Sequence, residues 1–339
     1  MGFKFTEEAL NTVLAELAKD YALYAPKRFI GGDTFSEVDC IRYGEISRVD
    51  EIVTDEISDY SFKEWLLPVS QTLFYFTEEN IREPVFPEKD AIIFLRSCDL
   101  HAVQRLDEIY LYNGYTDHFY QKVRDRVKFI LIGCPNAFDD CFCVDMGTNY
   151  TEKYEASFEP IGDLYYMDCK LDEWEGLFSQ HGQVVEGFKP SYVTTTPVRV
   201  NLPSDLSPAV ARASMWKEYD TRCIDCGRCN YVCPTCTCFT MQDVFYQDNG
   251  KAGERRRVHS SCMVRGFTDV AGGGSYRNKN GERMRFKVMH KVYDFKERFG
   301  YQMCVGCGRC DPCCPEYISF HHILNRLDEA MEEVRGDGK

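Results

Sequence analysis

Eighteen cysteines in 339 residues are the first chemistry this sequence offers, and their spacing sorts them. Cys223-x2-Cys226-x2-Cys229-x3-Cys233-Pro234 recurs in full as Cys304-x2-Cys307-x2-Cys310-x3-Cys314-Pro315. Three thiolates at this spacing wrap a tight loop around one face of an iron–sulfur cubane, one sulfur to each of three irons. The fourth cysteine points away and ligates the other cubane. The pattern assigns one [4Fe–4S] cluster to Cys223, Cys226, Cys229 and Cys314, and a second to Cys304, Cys307, Cys310 and Cys233. Crossed ligands of this kind tie the motifs together across residues 234–303 and hold two clusters close enough for electron transfer. Structural zinc, in a binding module without redox activity, is the competing chemistry, but zinc sites usually present cysteines in pairs. Cys313 stands beside Cys314, and the x3 spacing with Pro315 selects Cys314.

Cys98, Cys134, Cys141 and Cys143 form a less standard set. Cys98 and Cys134 each follow a short apolar run, at the carboxyl edge where ligands of open α/β sheets collect. Four thiols on one edge suit a third cubane, a zinc ion, or ordinary burial of a small apolar side chain. Cys236, Cys238 and Cys262 read as packing residues or as neighbours of the clusters, and Cys40 and Cys169 as structural.

The elements that position these residues are legible in part. Residues 5–20 place Leu10, Val13, Leu14 and Leu17 on one helical face. Met1-Gly2 with Thr6 fits a loose acylation pattern, but Thr6 before Glu7-Glu8 reads better as a helix cap. Segment 66–76 is strand material interrupted by Pro68. Ala91–Arg96 and Val127–Gly133 read as strands buried on both faces, with a helix from Asp99 to Tyr112 between them. This is a βαβ unit, hence a piece of parallel sheet. Residues 185–205, with three prolines and Thr194-Thr195-Thr196, read as a linker. Ser207-Pro208 starts a helix through about Tyr219, and 316–335 carry another helical face. The expected architecture is an α/β domain over residues 1–200, then a mainly helical, dicluster ferredoxin-like domain over 201–339 with a basic insert at 234–303.

Charge is unevenly spread. Residues 201–339 carry 21 Lys+Arg and 18 Asp+Glu, leaving a net of −17 on residues 1–200. An acidic body disfavours nucleic-acid binding, which rests on neutralising phosphates. The insert 234–303 holds 13 basic and 7 acidic residues. Its run Arg255-Arg256-Arg257 reads as a solvated loop or, more sharply, as a docking patch or a stabiliser of a reduced cluster. No apolar run reaches membrane-spanning length and no secretory signal is visible, so a cytoplasmic protein with reduced thiols is expected. No G-x-G-x-x-G follows a strand and no Walker loop occurs, so no bond-making active site is expected in this chain.

The strings LLPVSQTLFYF, FLRSCDLHAVQRLD, CFCVDMGTNY, CPTCTCF, GERRRVHSSCMVRGFTDVAGG and MCVGCGRC together resemble the A subunits of anaerobic sulfite reductases. The CDL…CFC and CPTCTCF elements more distantly resemble the β subunits of cytoplasmic NiFe sulfhydrogenases. The first resemblance implies an electron relay from an NADH-oxidising flavoprotein subunit to a sirohaem subunit that reduces sulfite to sulfide. The second implies a hydrogenase complex, and a third [4Fe–4S] cluster held by Cys98, Cys134, Cys141 and Cys143.

Overall fold

The computed structural model describes residues 1–32 and 37–336. The first strands are β1 (Gly2–Phe5), β2 (Tyr21–Phe29), β3 (Cys40–Glu45), β4 (Ser70–Phe76), β5 (Ile81–Arg82) and β6 (Asp90–Leu95). They are followed by β7 (Val127–Ile132), β8 (Ala156–Ile161), β9 (Leu164–Asp168), β10 (Gln183–Val185), β11 (Phe239–Phe245) and β12 (Gly253–His259). Eight of these form one sheet in the order β10-β1-β9-β8-β7-β6-β2-β3. Its centre, β2-β6-β7-β8, is parallel, and both flanks are antiparallel.

The parallel centre follows from residue type. Ile92 to Leu95 and Ile130 to Ile132 are fully buried, as strands covered on both faces must be. Side chains alternate across the sheet, so Ile92, Phe94, Ile130 and Ile132 join one core. Ile93, Leu95, Phe129 and Leu131 join the other. Helix α1 (Glu7–Leu17) covers the first core with Leu10, Val13, Leu14 and Leu17, and Thr6 caps it by accepting from Ala9 N–H at 3.3 Å. Helix α2 (Lys63–Leu66) sits just before Pro68, which delays β4 to Ser70. Helix α3 (Ser97–Tyr110) crosses from β6 towards β7 on the second core, and α4 (His118–Arg124) completes the connection. Helix α5 (Asp172–His181) returns to the first core through Trp174 and Phe178.

After residue 201 the expected mainly helical character gives way to a mixture. The segment 208–219 forms two 3-10 turns rather than one helix, because Ala213 adopts φ −57°, ψ 144° and breaks the run. Ser207 still caps its start by accepting from Ala209 N–H. Short helices α6 (Tyr219–Arg222) and α7 (Arg228–Tyr231) flank the first cysteine loop, and α8 (Asn280–Met289) and α9 (Phe295–Phe299) precede the second. The C-terminal apolar face splits at Arg326 into α10 (Phe320–Asn325) and α11 (Leu327–Gly336), with its predicted residues buried. Between these helices β11 and β12 form a ribbon that adds to β4 and β5 as a four-stranded sheet.

That ribbon contains Arg255-Arg256-Arg257, so the run is a strand and not a solvated loop. Arg255 pairs with Asp243 at 2.7 Å, Arg256 with Glu254, and the buried Arg257 with Asp117 at 2.6 Å. Each of these charges has a carboxylate partner within the chain, which leaves little free charge for docking. No helix among the described residues is long and apolar enough to cross a membrane. We keep the division at residue 200 as a proposal about folding units, one that is bridged heavily. Besides the β4–β12 ladder, Arg105 donates to Gln302 O at 3.0 Å and Lys63 to Asn230 O at 3.0 Å.

The most deeply buried bridge is Arg309 with Asp99, paired at 2.7 Å with side chains only 1% and 0% exposed. A buried pair broken on one side leaves an uncompensated charge. Asp99→Leu is expected to cost about 3–5 kcal/mol, read from denaturant unfolding by far-UV circular dichroism. The double variant Asp99→Leu/Arg309→Met is expected to cost clearly less than the sum of the two single changes; strict additivity would show that the pair does not couple the halves.

Candidate metal centres

The local fold turns each cysteine motif into the wall of a cavity. Cys223 caps the end of α6, Cys226 follows in the loop, Cys229 lies in α7 and Cys233 just beyond it. Cys223, Cys226, Cys229, Cys310 and Cys314 line one cleft of about 480 Å³, its open mouth included. Cys229, Cys233, Cys304, Cys307 and Cys310 line a second of about 380 Å³. The first cleft thus contains Cys314 from the distant motif, and the second contains Cys233 from the other. Cys313 is on neither wall; its thiol donates to Cys310 O at 3.3 Å. Among the described residues no set of three or more His, Cys, Asp or Glu is arranged to hold a single metal ion. The thiols instead rim clefts, a disposition that fits a group presenting several irons.

Burial pushes four of these thiols up: Cys223, Cys310, Cys304 to about 11 and Cys307 to about 12. Metal ligation requires the thiolate, so the walls must supply positive charge. Lys287 does so from α8 and lines both clefts. Burial works against its ammonium, yet Cys229, Cys310 and Cys236 hold its pKa well above the ordinary range. Lys291 is likewise opposed by burial and raised by Cys233, Cys236 and Cys304. Neither lysine was singled out in the sequence. Their i, i+4 spacing at the end of a helix, directly before the second motif, was the available signal.

The N-terminal set gathers where the sheet topology predicts. Cys98 lies in the first turn of α3 directly after β6, and Cys134 follows β7. Cys143 donates a hydrogen bond to Cys141, which lowers the Cys141 thiol to about 7 against the effect of burial and raises Cys143. Arg96 approaches the Cys134 sulfur at 3.8 Å, and Cys98 lies within electrostatic reach of Cys141 and Cys307. Burial, with Asp99 adding to it, pushes the Cys98 thiol well above its ordinary range.

This set is pressed against the second ferredoxin loop. Phe142 N–H donates to Gly306 O at 2.9 Å, Thr148 Oγ1 donates to Val305 O at 2.6 Å, and the Cys141 thiol lies 3.8 Å from Cys307 O. Gly306 and Gly308 have φ of +65° and +79°, and a Cβ on either would fall 2.5–2.6 Å from backbone atoms of Phe142 or Asp140. Glycine is the residue that satisfies both demands, positive φ and close approach. Three cysteine groups therefore follow one another: the N-terminal set, the second cleft, then the first. Cys236, Cys238 and Cys262, read as packing or neighbours of the clusters, wall a further cavity beside the second cleft.

Comparison with known proteins agrees with this chemistry. Residues 222–318 match a 4Fe-4S dicluster domain. Sulfhydrogenase 2 subunit beta of Pyrococcus furiosus is 25% identical over 306 residues, which cover 86% of this chain and 90% of that protein. F420-dependent formate dehydrogenase subunit beta of Methanocaldococcus jannaschii is 20% identical over 123 residues, 36% of this chain and 24% of that protein. No solved structure matches the chain. Of the two resemblances drawn from the motifs, these findings support the sulfhydrogenase one and not the sulfite reductase one. Cys314→Ala is expected to lower iron and acid-labile sulfide by about one cubane, or 4 irons, per chain, whereas Cys313→Ala leaves both unchanged; the reverse result would move the ligand. On the dicluster match and the similarity along most of its length, the chain is an iron–sulfur electron-transfer protein with [4Fe–4S] clusters as its cofactors.

Proposed function

We propose that this chain is the electron-relay subunit of a heteromeric oxidoreductase built on the plan of a sulfhydrogenase β subunit. The observation that carries it is the contact of the 140–143 loop with Gly306 and Gly308. This contact supports one uninterrupted line of cysteine groups from the edge of the sheet to the ferredoxin motifs. A [4Fe–4S] cluster supplies reversible one-electron storage. In this reading Cys223, Cys226, Cys229 and Cys314 hold one cluster, Cys304, Cys307, Cys310 and Cys233 a second, and Cys98, Cys134, Cys141 and Cys143 a third. Lys287, Lys291 and Arg309 balance the charge of the thiolates, and the surrounding apolar core excludes water.

The first cleft is the end that meets a partner. Cys226 is exposed, and Ile224 and Tyr317 are 54% and 88% exposed beside it. The partners in this reading are an NADH-oxidising flavoprotein subunit and a nickel–iron hydrogenase subunit, assembled in the cytoplasm. The strings CPTCTCF and GERRRVHSSCMVRGFTDVAGG favour a second reading, in which a sirohaem subunit reducing sulfite takes the place of the hydrogenase.

Two measurements test the proposal. Anaerobic co-purification from the native host is expected to bring a nickel-containing partner; sirohaem in that fraction would select the second reading, and a colourless chain with zinc and no acid-labile sulfide would sink both. Cys98→Ser/Cys141→Ser is expected to remove about 4 irons per chain relative to the unmodified protein, while the signals of the other clusters persist in electron paramagnetic resonance. No change in iron would return the N-terminal thiols to packing.

A further inference from the structure

Three thiols belong neither to the ferredoxin motifs nor to the N-terminal set, and the fold collects them. Cys236 and Cys238 lie on the turn after Cys233, and Cys262 lies just past β12. The β11–β12 ribbon folds back so that Ser260 N–H donates to Cys238 O at 2.9 Å. All three cysteines wall one cavity together with Phe267, His290 and Lys291. That cavity measures about 530 Å³, against about 480 and 380 Å³ for the two ferredoxin clefts with their mouths counted alike. Cys262 accepts from Asn230 Nδ2 at 3.1 Å and itself donates to Cys238, while Cys236 donates to Cys233.

Buried thiols alone are common; buried ammonium groups beside them are not. Lys63, Lys287 and Lys291 are 2%, 4% and 2% exposed. Lys63 Nζ donates to Asn230 O at 3.0 Å and to Cys236 O at 3.2 Å, and Lys291 Nζ donates to Thr235 Oγ1 at 2.6 Å. These oxygens are neutral, and Lys291 also shares a hydrogen bond with the Cys236 thiol. A desolvated ammonium without a counter-charge is strongly unfavourable, so the site asks for an anionic occupant. The ferredoxin clefts answer for Lys287, which lines both, and in part for Lys291, which lines the second of them as well as the new cavity. Lys63 lines none of the three cavities; burial lowers its pKa, and of the thiols that oppose this, Cys236, Cys233 and Cys238, only Cys233 belongs to a ferredoxin motif.

We propose that Cys236, Cys238 and Cys262 ligate a further [4Fe–4S] cluster, distinct from those of the ferredoxin motifs and of the N-terminal set. Three thiolates around an iron–sulfur core supply negative charge to Lys291 on the cavity wall and to Lys63, which donates to the backbone of Cys236 behind it. One iron is left without a cysteine, and His290 on the same wall is the nitrogen donor available to it. The short path from Cys236 to Cys233 places the new cluster directly beside the second ferredoxin cleft. The inference rests on the reading of the chain as an iron–sulfur subunit, and its test separates the two.

The full chain is titrated anaerobically with ferrous iron and sulfide and followed by native mass spectrometry, each cubane adding roughly 350 Da for four irons and four sulfides. The unmodified chain is expected to plateau at four cubanes, and Cys236→Ala/Cys238→Ala/Cys262→Ala at one fewer with unchanged far-UV circular dichroism. A plateau of three that falls to two in the variant also sustains the site and instead removes the N-terminal cluster. Equal plateaus for both proteins overturn it. Where the triple variant fails to fold, Cys262→Ala alone takes its place and is read in the same way: one cubane fewer than the unmodified chain supports the site, and an equal plateau overturns it. A chain that takes up no cubane sinks the iron–sulfur reading itself.

Discussion

The buried pair between Arg309 and Asp99 is the contact on which the joint between the two halves depends. Arg309 stands inside the second ferredoxin loop, between Cys307 and Cys310, and Asp99 follows Cys98 in the first turn of α3. The guanidinium spans both carboxylate oxygens, at 2.7 and 2.9 Å, and also donates to Ser58 O at 3.1 Å. Tyr43 donates to the same carboxylate at 3.2 Å. Burying two ions is costly, and only a geometry with nearly every donor satisfied offsets it. Such a pair tolerates little displacement, so it sets the spacing between the N-terminal thiols and the second cleft. Gly306 and Gly308 then allow backbone to lie on backbone.

The same electrostatic logic runs through the cysteine region. The chain is acidic overall, with net charge −14, yet Lys63, Lys287, Lys291 and Arg309 are buried around the thiols. Surface acidity and interior basicity serve different ends. The surface charge bears on solubility and encounter, whereas an interior cation is retained where an anion must be held out of water. An iron–sulfur core with its thiolates is such an anion, and positive charge beside it also favours uptake of an electron.

Part of the fold was legible because its causes are local. The apolar stripe of α1, the cap at Thr6 and the two buried strands β6 and β7 follow from residue type and period. The helix read at 208–219 was not realised, since Ala213 takes an extended ψ and the chain turns into two short 3-10 pieces. Periodicity alone does not register such a break. Arg255-Arg256-Arg257 looked like a solvated loop because its partners lie elsewhere in sequence: Asp243 across the ribbon and Asp117 in the N-terminal half.

What the sequence by itself determined is the cluster chemistry of the two motifs. A C-x2-C-x2-C loop must curl around one group because its three thiols are covalently held within a few residues of one another, and that requirement needs no tertiary information. The tertiary structure decided what stands around those loops. Lys63, Cys236, Cys262 and Lys291 come from four separate segments and meet only after β12 has added to β4 and α8 has packed beneath the cysteine loops. The charge balance of the centres, the meeting of the N-terminal thiols with Cys307, and the third thiol-walled cavity all depend on such long-range contacts. Spacing along a chain carries no record of them.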